Sequence, residues 1–216
     1  MMMTLLVAQQ EGDVVRVPKW PMDLAAFRRW ARSGEFPHRG LYAFLNGSLW
    51  IDPSDELESH NQVKTEICSV LVNAVKDPSV GRIFSDRIGL TNVDADLCTE
   101  PDGMFARSAS LHDRRVRLTR RANLPELIGS PDMVLEVISP TSAQKDALLL
   151  RDLYWRAGIP EYWLVDPALR MLQRHVLRDG QYAIVEAVGD STIFKPDSFP
   201  GLKIPLARLW SLHGKS

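Results

Sequence analysis

The chain has 216 residues, 45% of them hydrophobic and 25% charged, the make-up of an ordinary soluble globular protein able to bury one good core. Its 26 Lys and Arg stand against 27 Asp and Glu, for a net charge of -1, so the chain is not built to coat nucleic acid and any such contact must come from a local patch. The two cysteines, Cys68 and Cys98, have no neighbour at metal-ligand spacing, which argues against a zinc site or a disulfide framework and for two reduced, packed thiols.

The opening MMMTLLVAQQEGDVV has a short apolar run without a basic lead and soon meets Glu11 and Asp13, so it fails as a signal peptide or membrane span. No membrane association and a cytoplasmic location follow by default. With no repeat, low-complexity tract or Ser/Gly linker, 1–216 reads as one domain: an appendage at 1–40, a core at 41–170, and a hairpin and tail at 171–216.

Residues 22–33 place Leu24, Phe27 and Trp30 on roughly one side of an amphipathic helix that Gly34 stops. In YAFLNGSLWI, Asn46-Gly47 separates two apolar runs and predicts a hairpin at 41–51, because a type I′ turn needs positive φ at both central residues. The spacing at 58–76 predicts a helix with Val63, Ile67, Val70, Leu71 and Ala74 on one stripe, His60 near it and Glu66 at its edge. Short strands are expected at 82–86 and 88–93, followed by LCTEPDGMFA as a strand broken by turn residues. PDMVLEVIS reads as a strand buried on both faces. A helix from about Ser142 carries Leu149, Leu150, Leu153, Tyr154 and Ala157 inward and ends at Gly158, and EYWLVD is the next buried strand. This strand, helix, strand succession predicts a right-handed crossover with a parallel pair. RMLQRHVL and QYAIVEAV, joined by Asp179-Gly180, predict a second hairpin, so the sheet should be mixed; LKIPLARLWSL closes the chain as a strand and a turn of helix.

The chemistry concentrates between Glu100 and Asp146. If 98–104 is extended, alternation puts Glu100 and Asp102 on one face about 7 Å apart. Asp132 and Glu136 also share a face but are about 13 Å apart, too far to grip one ion, so Glu136 needs a partner from another strand. An unpaired carboxylate inside an apolar strand costs several kcal/mol, and something positive must meet it: an arginine or lysine in a structural ion pair, or a divalent cation such as magnesium.

The segment PDMVLEVISPTSAQKDALLLRDLYWRAGIPEYWLVDP resembles the core of the bacterial Uma-two family of restriction endonucleases, a branch of the PD-(D/E)XK nuclease superfamily. The likeness continues through YAFLNGSLWIDPS, the SHNQVKTEI helix and TEPDGMF, over roughly residues 40–170. It implies an α/β, restriction-endonuclease-like core of mixed β-sheet flanked by α-helices. It further implies a Mg²⁺ (or Mn²⁺) dependent endonuclease with Asp102 and Glu136 as metal ligands and the C=O of Val137 as a third; Glu100, which the strand alternation offers beside Asp102 as the partner of Glu136, would assist. Two departures from the family pattern stand out. Ile138 occupies the position of the motif lysine, and Leu150 the position where relatives carry a lysine on the following helix. Lys145 is the nearest substitute or else a solvated surface residue: at 100° per residue it lies about 140° around an α-helix from Leu150, but from the helix start a flexible side chain can reach the strand end. The hairpin carries Ala43 where relatives commonly have an acid. Glu66 is a candidate to compensate or else a surface charge, His60 a hydrogen-bonding site residue or a satisfied partly buried histidine, and Asp146 an acid of the family's helix or a dipole-favoured first-turn carboxylate.

Residues 107–121 hold Arg107, Arg114, Arg115, Arg117, Arg120 and Arg121 against one acid, Asp113. Such a strip suits backbone phosphates, through counterion release, or a solvated hairpin. DNA is the expected partner, and a homodimer is left open. Two readings compete with an endonuclease: a catalytically inactive nuclease fold that binds nucleic acid or protein, and a metal-dependent hydrolase of another phosphate ester.

Overall fold

The structure is a computed structural model describing residues 5–8, 14–18, 21–52, 58–85, 87–119, 125–139, 142, 145–189 and 192–213. In chain order the elements are β1 (Leu5–Ala8), β2 (Val14–Val17), α1 (Leu24–Ala31), β3 (Leu41–Leu45), β4 (Ser48–Asp52), α2 (Glu58–Ala74), β5 (Gly81–Ser85), β6 (Gly89–Asn92), β7 (Leu97–Thr99) and β8 (Gly103–Arg107). There follow α3 (Ser108–His112), β9 (Val116–Thr119), β10 (Glu126–Gly129), β11 (Met133–Val137), a π-helical segment (Lys145–Leu150) running into α4 (Arg151–Arg156), β12 (Glu161–Asp166), β13 (Met171–Arg178), β14 (Gln181–Val188), β15 (Ile193–Phe194), β16 (Ile204–Pro205) and α5 (Leu206–His213).

Two six-stranded mixed sheets result, where the sequence suggests one. The first has the order β4-β3-β7-β6-β10-β9 and the second β14-β13-β12-β11-β8-β5. Both hairpins form at the expected turns: Asn46 and Gly47 have φ of 48° and 78°, and Asp179 and Gly180 have 49° and 76°, the paired positive values a I′ turn requires. The parallel pair is β11 with β12, in register from Met133↔Glu161 to Val137↔Val165.

The side-chain alternation of β11 divides the interior. Val134 joins Leu150, Leu153, Tyr154, Tyr162 and Leu164 in a core that also takes Leu45, Leu90, Leu97 and Leu127 from the first sheet. Met133, Leu135 and Val137 face the other way, onto Val63, Ile67 and Leu71 of α2 and Leu209 and Trp210 of α5. A third core, Phe27 and Trp30 of α1 against Tyr42 and Phe44 of β3, covers the outer face of the first sheet. The layers therefore run α1, first sheet, the 145–157 helix, second sheet, then α2 with α5. The expected helix at 22–33 is shorter, starting after Asp23, whose side chain accepts from the Ala26 N–H.

LCTEPDGMFA does not remain one strand. β7 belongs to the first sheet and β8 to the second, and the chain crosses between them at Glu100–Asp102. Gly103 permits the crossing, since a Cβ there would lie 3.2 Å from Leu135 Cδ2 and 3.3 Å from Cys68 Sγ.

Candidate active site

Asp102 stands at the crossing, and its position follows from an interrupted ladder. The pairing of β8 with β11 ends at Gly103↔Leu135, leaving the Val137 N–H without a strand partner on that side. The Asp102 carboxylate takes the strand's place, Oδ2 accepting from Val137 N at 2.7 Å. His60, in the first turn of α2, donates from Nε2 to the Val137 carbonyl at 2.8 Å and lies 3.4 Å from Asp102 Oδ2. One turn along the same face, Lys64 brings Nζ to 3.9 Å from Asp102 Oδ1.

Glu136 leaves β11 on the opposite face, toward the 145–157 helix, and is 4% exposed. The Tyr154 hydroxyl donates to its Oε1 at 2.5 Å. Burial first, and then the negative charges of Asp102 and Asp146, push the Glu136 carboxyl well above the usual carboxylate range; Lys145 and the tyrosine offset this only in part. Burial likewise raises Asp146, against the pull of Lys145. Lys145 Nζ lies 3.2 Å from Asp146 Oδ1 in an electrostatic contact that is not an aligned hydrogen bond, since that oxygen is buried and accepts none among the described residues. Burial alone would lower the Lys145 ammonium, but Asp146 and Glu136 outweigh it and lift it.

The structure thus draws Asp102, Glu136, Asp146, Lys145 and His60 to one place, the carboxyl end of β11. Lys145 arrives there although Leu150 sits fully buried in the core, because 145–150 is π-helical and the 100° wheel of an α-helix does not apply. Lys64 is the residue that sequence reading passes over: it looks like a polar break beside the Val63 and Ile67 stripe, yet it is 6% exposed. Its spacing of four from His60 is the signal that identifies it.

Other candidates lie elsewhere. Glu66 faces α5, its Oε1 2.8 Å from Arg208 Nε, and so does not replace an acid in the cluster. Glu100 does not share a strand face with Asp102, because the strand breaks between them; its charge acts on Cys98, whose thiol burial pushes up to about 12. The Val137 carbonyl is already engaged by His60. Among the basic residues, Arg114, Arg115 and Arg117 are exposed, but Arg115 Nη2 is 2.6 Å from Asp132 Oδ1, about 13 Å along β11 from Glu136. Arg120 and Arg121 lie outside the described residues. No group of three or more His, Cys, Asp and Glu among the described residues is gathered closely enough to hold a metal ion. Among the described residues no helix is long and apolar enough to cross a membrane.

This architecture is an α/β, restriction-endonuclease-like fold. It is similar to the crystal structure of a "putative nuclease belonging to DUF820" from Anabaena variabilis ATCC 29413, with a TM-score of 0.67 and 18% identity over 89% of this chain and 99% of that one. Residues 24–207 match the Uma2 family, described as "Putative restriction endonuclease", and the chain belongs to that family. No curated protein matches it.

Proposed function

We propose that the protein is a Mg²⁺-dependent endonuclease that hydrolyses phosphodiester bonds in DNA at the carboxyl end of β11. The observation that carries this reading is the charge deficit around Glu136: a buried carboxylate faced by two others, with Lys145 and a tyrosine as its attractive partners and no arginine among the leading charges that act on it from the described residues. Family membership supplies the substrate class.

The residues present fit a magnesium ion. The donors are hard carboxylate oxygens, and the buried Asp146 Oδ1 lacks a hydrogen-bond donor among the described residues. Glu136 and Asp102 are the proposed ligands, with Asp146 beside them. A site short of three clustered ligands suits magnesium, which is commonly bound through one or two carboxylates, with water and phosphate completing the shell. When bound, the ion would polarise the scissile phosphate and lower the pKa of a water.

The chain's own residues have separate tasks. Asp102 is held rigid by Val137 N and His60, which fixes the direction of its remaining oxygen. Tyr154 pins one oxygen of Glu136 and leaves the other to the ligand. Lys145 favours the charged forms of Asp146 and Glu136 and positions the attacking water. In the reaction the water oxygen bonds to phosphorus as the ester P–O bond breaks, and the proton it sheds ends on the leaving alcohol, giving a phosphate monoester. Arg114, Arg115 and Arg117 contribute phosphate contacts to the flanking duplex, Arg115 at reduced strength because Asp132 competes for it.

Cleavage of plasmid DNA by the purified chain with Mg²⁺ or Mn²⁺, stopped by chelator and lost in Glu136→Ala, is the expected result. The absence of lysine at positions 138 and 150 favours one rival, an inactive binding module. Salt-sensitive DNA binding without cleavage would establish that rival, and turnover of small phosphate esters but not DNA would establish a different hydrolase.

A further inference from the structure

The chain passes twice from one sheet to the other beside Asp102. In the second sheet Ser85 pairs with Gly103, and in the first Leu90 pairs with Thr99, so the connection from β5 to β6 runs alongside the crossing at Glu100–Asp102. Strands β5 and β11 are both antiparallel to β8 and so point the same way. The connection after β5 therefore lies at the carboxyl end of β11, the end that holds the carboxylate cluster. Arg87 stands in it, exposed, with a φ of 55°.

Two properties set this arginine apart. The left-handed backbone region disfavours any residue with a Cβ, and Asn46, Asp96 and Asp179, which also enter it, are of the kind that tolerates it. An arginine gains nothing locally there, and glycine would serve the bend without strain, so the backbone gives no reason for the side chain at 87. Arg87 also makes no ion pair or side-chain hydrogen bond among the described residues. The cations deeper in are committed: Lys145 Nζ lies 3.2 Å from Asp146 and Lys64 Nζ 3.9 Å from Asp102, with side chains 6% and 7% exposed. The arginines around Arg115 are at the other end of β11, beside Asp132. A phosphodiester that reaches the cluster from solvent thus meets, at Arg87, a guanidinium whose donors no described residue takes up.

We propose that Arg87 is the phosphate clamp at the mouth of the site: its guanidinium grips, through two parallel hydrogen bonds, a backbone phosphate of the DNA strand that lies across the carboxyl end of β11. This rests on the DNA-directed reading given above and adds to it the residue that holds the substrate there. The planar fork matches two phosphate oxygens, which an ammonium does not, and the contact makes and breaks no covalent bond. It is present equally before and during the reaction, so it acts on KM and leaves kcat nearly unchanged.

The test uses the full chain and a short DNA duplex, with metal-free binding followed by fluorescence anisotropy between about 50 and 200 mM salt, plasmid cleavage in Mn²⁺, and thermal unfolding. Arg87→Met should weaken binding by roughly tenfold, raise KM to match, and reduce the slope of log affinity against log salt by about 0.9, the release tied to one phosphate. Arg87→Lys should keep the slope and recover part of the affinity, since the charge stays while the fork is lost. Arg87→Gly should lose binding as the methionine variant does and still unfold at or above the temperature of the parent, because glycine relieves the backbone. Arg178→Met, which neutralises an exposed arginine beyond the opposite end of the sheet, should leave the slope unchanged. An unchanged slope in Arg87→Met, or an equal drop in Arg178→Met, overturns the proposal, and so does a glycine variant that unfolds earlier, because the arginine is then structural. Each of these leaves the nuclease reading standing if the parent cuts. A parent that binds DNA with the Arg87-dependent slope but never cuts removes the nuclease reading and supports the clamp, and a parent that binds no DNA removes both.

Discussion

Two buried glutamates ten positions apart show what distinguishes the site from the scaffold. Glu126 and Glu136 are both 4% exposed, and each lies on a strand of a six-stranded sheet. Glu126 receives Arg28 Nε at 2.8 Å, a second contact from Arg28, a short one from Arg32, and the Thr91 hydroxyl at 2.5 Å. Burial pushes its carboxyl up, but these donors overcome that and hold it below the usual range. Glu136 lies deeper, so burial pushes its carboxyl up more strongly, and Asp102 and Asp146 push it further up. One carboxylate has its positive charge built in, from a helix packed over the first sheet; the other leaves a deficit that the proposed cation would relieve. Equal residue type and equal surface exposure therefore conceal opposite electrostatic designs, a fixed brace and a charge deficit.

The largest effect that probes this contrast is on activity. Glu136→Ala should reduce metal-dependent cleavage by at least about 10³-fold, the several kcal/mol that a site's metal chemistry supplies. Its thermal midpoint should not fall below that of the parent, because the carboxyl it removes is repelled by its neighbours. Glu126→Ala should do the reverse. Leaving two guanidinium groups unmatched costs about 3 kcal/mol, the low end for a broken buried pair because Arg28 and Arg32 are 20% and 32% exposed. Cleavage per folded molecule should stay at the parent level. Urea denaturation and a plasmid assay on the same samples read both, and equal destabilisation by the two variants would break the comparison.

Much of the fold is legible in the sequence because its signals are local. Asn46-Gly47 and Asp179-Gly180 favour the positive φ of a tight turn, and the mainly apolar β11 and β12 announce burial on both faces. The division into two sheets is not legible, since it depends on the chain crossing at Glu100–Asp102, and turn residues inside a strand do not say which sheet the next segment joins. The same crossing explains why the pairing of Glu100 with Asp102 fails. Strands β9 and β10, and α3 inside the arginine-rich stretch, are also missed because each spans five residues or fewer and periodicity has little to act on. At the site, Asp102 and Glu136 are visible as acids in apolar surroundings. Lys145 and Lys64 depend on a π-helical segment and on helix packing across a sheet, and neither shows as a pattern along the chain.

Acidity provides the next test, because the two glutamates respond to pH with opposite sign. A carboxyl raised in the folded state binds more protons folded than unfolded, so Glu136 adds no penalty below 4.5, the ordinary glutamate value, and an increasing one as pH rises toward its folded value. Glu126 is depressed, so its stabilisation is present above 4.5 and is lost as pH falls through its folded value. Without metal, stability should therefore decline from pH 4.5 upward by a component that Glu136→Gln removes, and decline again at lower pH by one that Glu126→Gln removes. Adding Mg²⁺ or Mn²⁺ at a hundred times its Kd should restore about 2.7 kcal/mol at neutral pH and flatten the first component alone. A metal effect of the same size in Glu136→Gln would place the ion elsewhere.

The smallest effect concerns the hydroxyl that partly tempers Glu136. Tyr154 is fully buried beneath it, and Tyr154→Phe keeps the ring in the core while deleting the hydroxyl that donates to Oε1. A single intramolecular hydrogen bond contributes about 1 kcal/mol net, so the variant should unfold within a few degrees of the parent. The hydroxyl also favours the ionised form of Glu136, and without it the carboxyl rises further and a proton competes harder with the cation. Half-saturation in Mn²⁺ at neutral pH should then move to a concentration higher by up to about fivefold, the equivalent of that same hydrogen bond, and converge with the parent as pH is raised. A shift that persists at high pH would mean that Tyr154 sets the direction of the carboxylate rather than its charge, and it would separate orientation from electrostatics at Glu136.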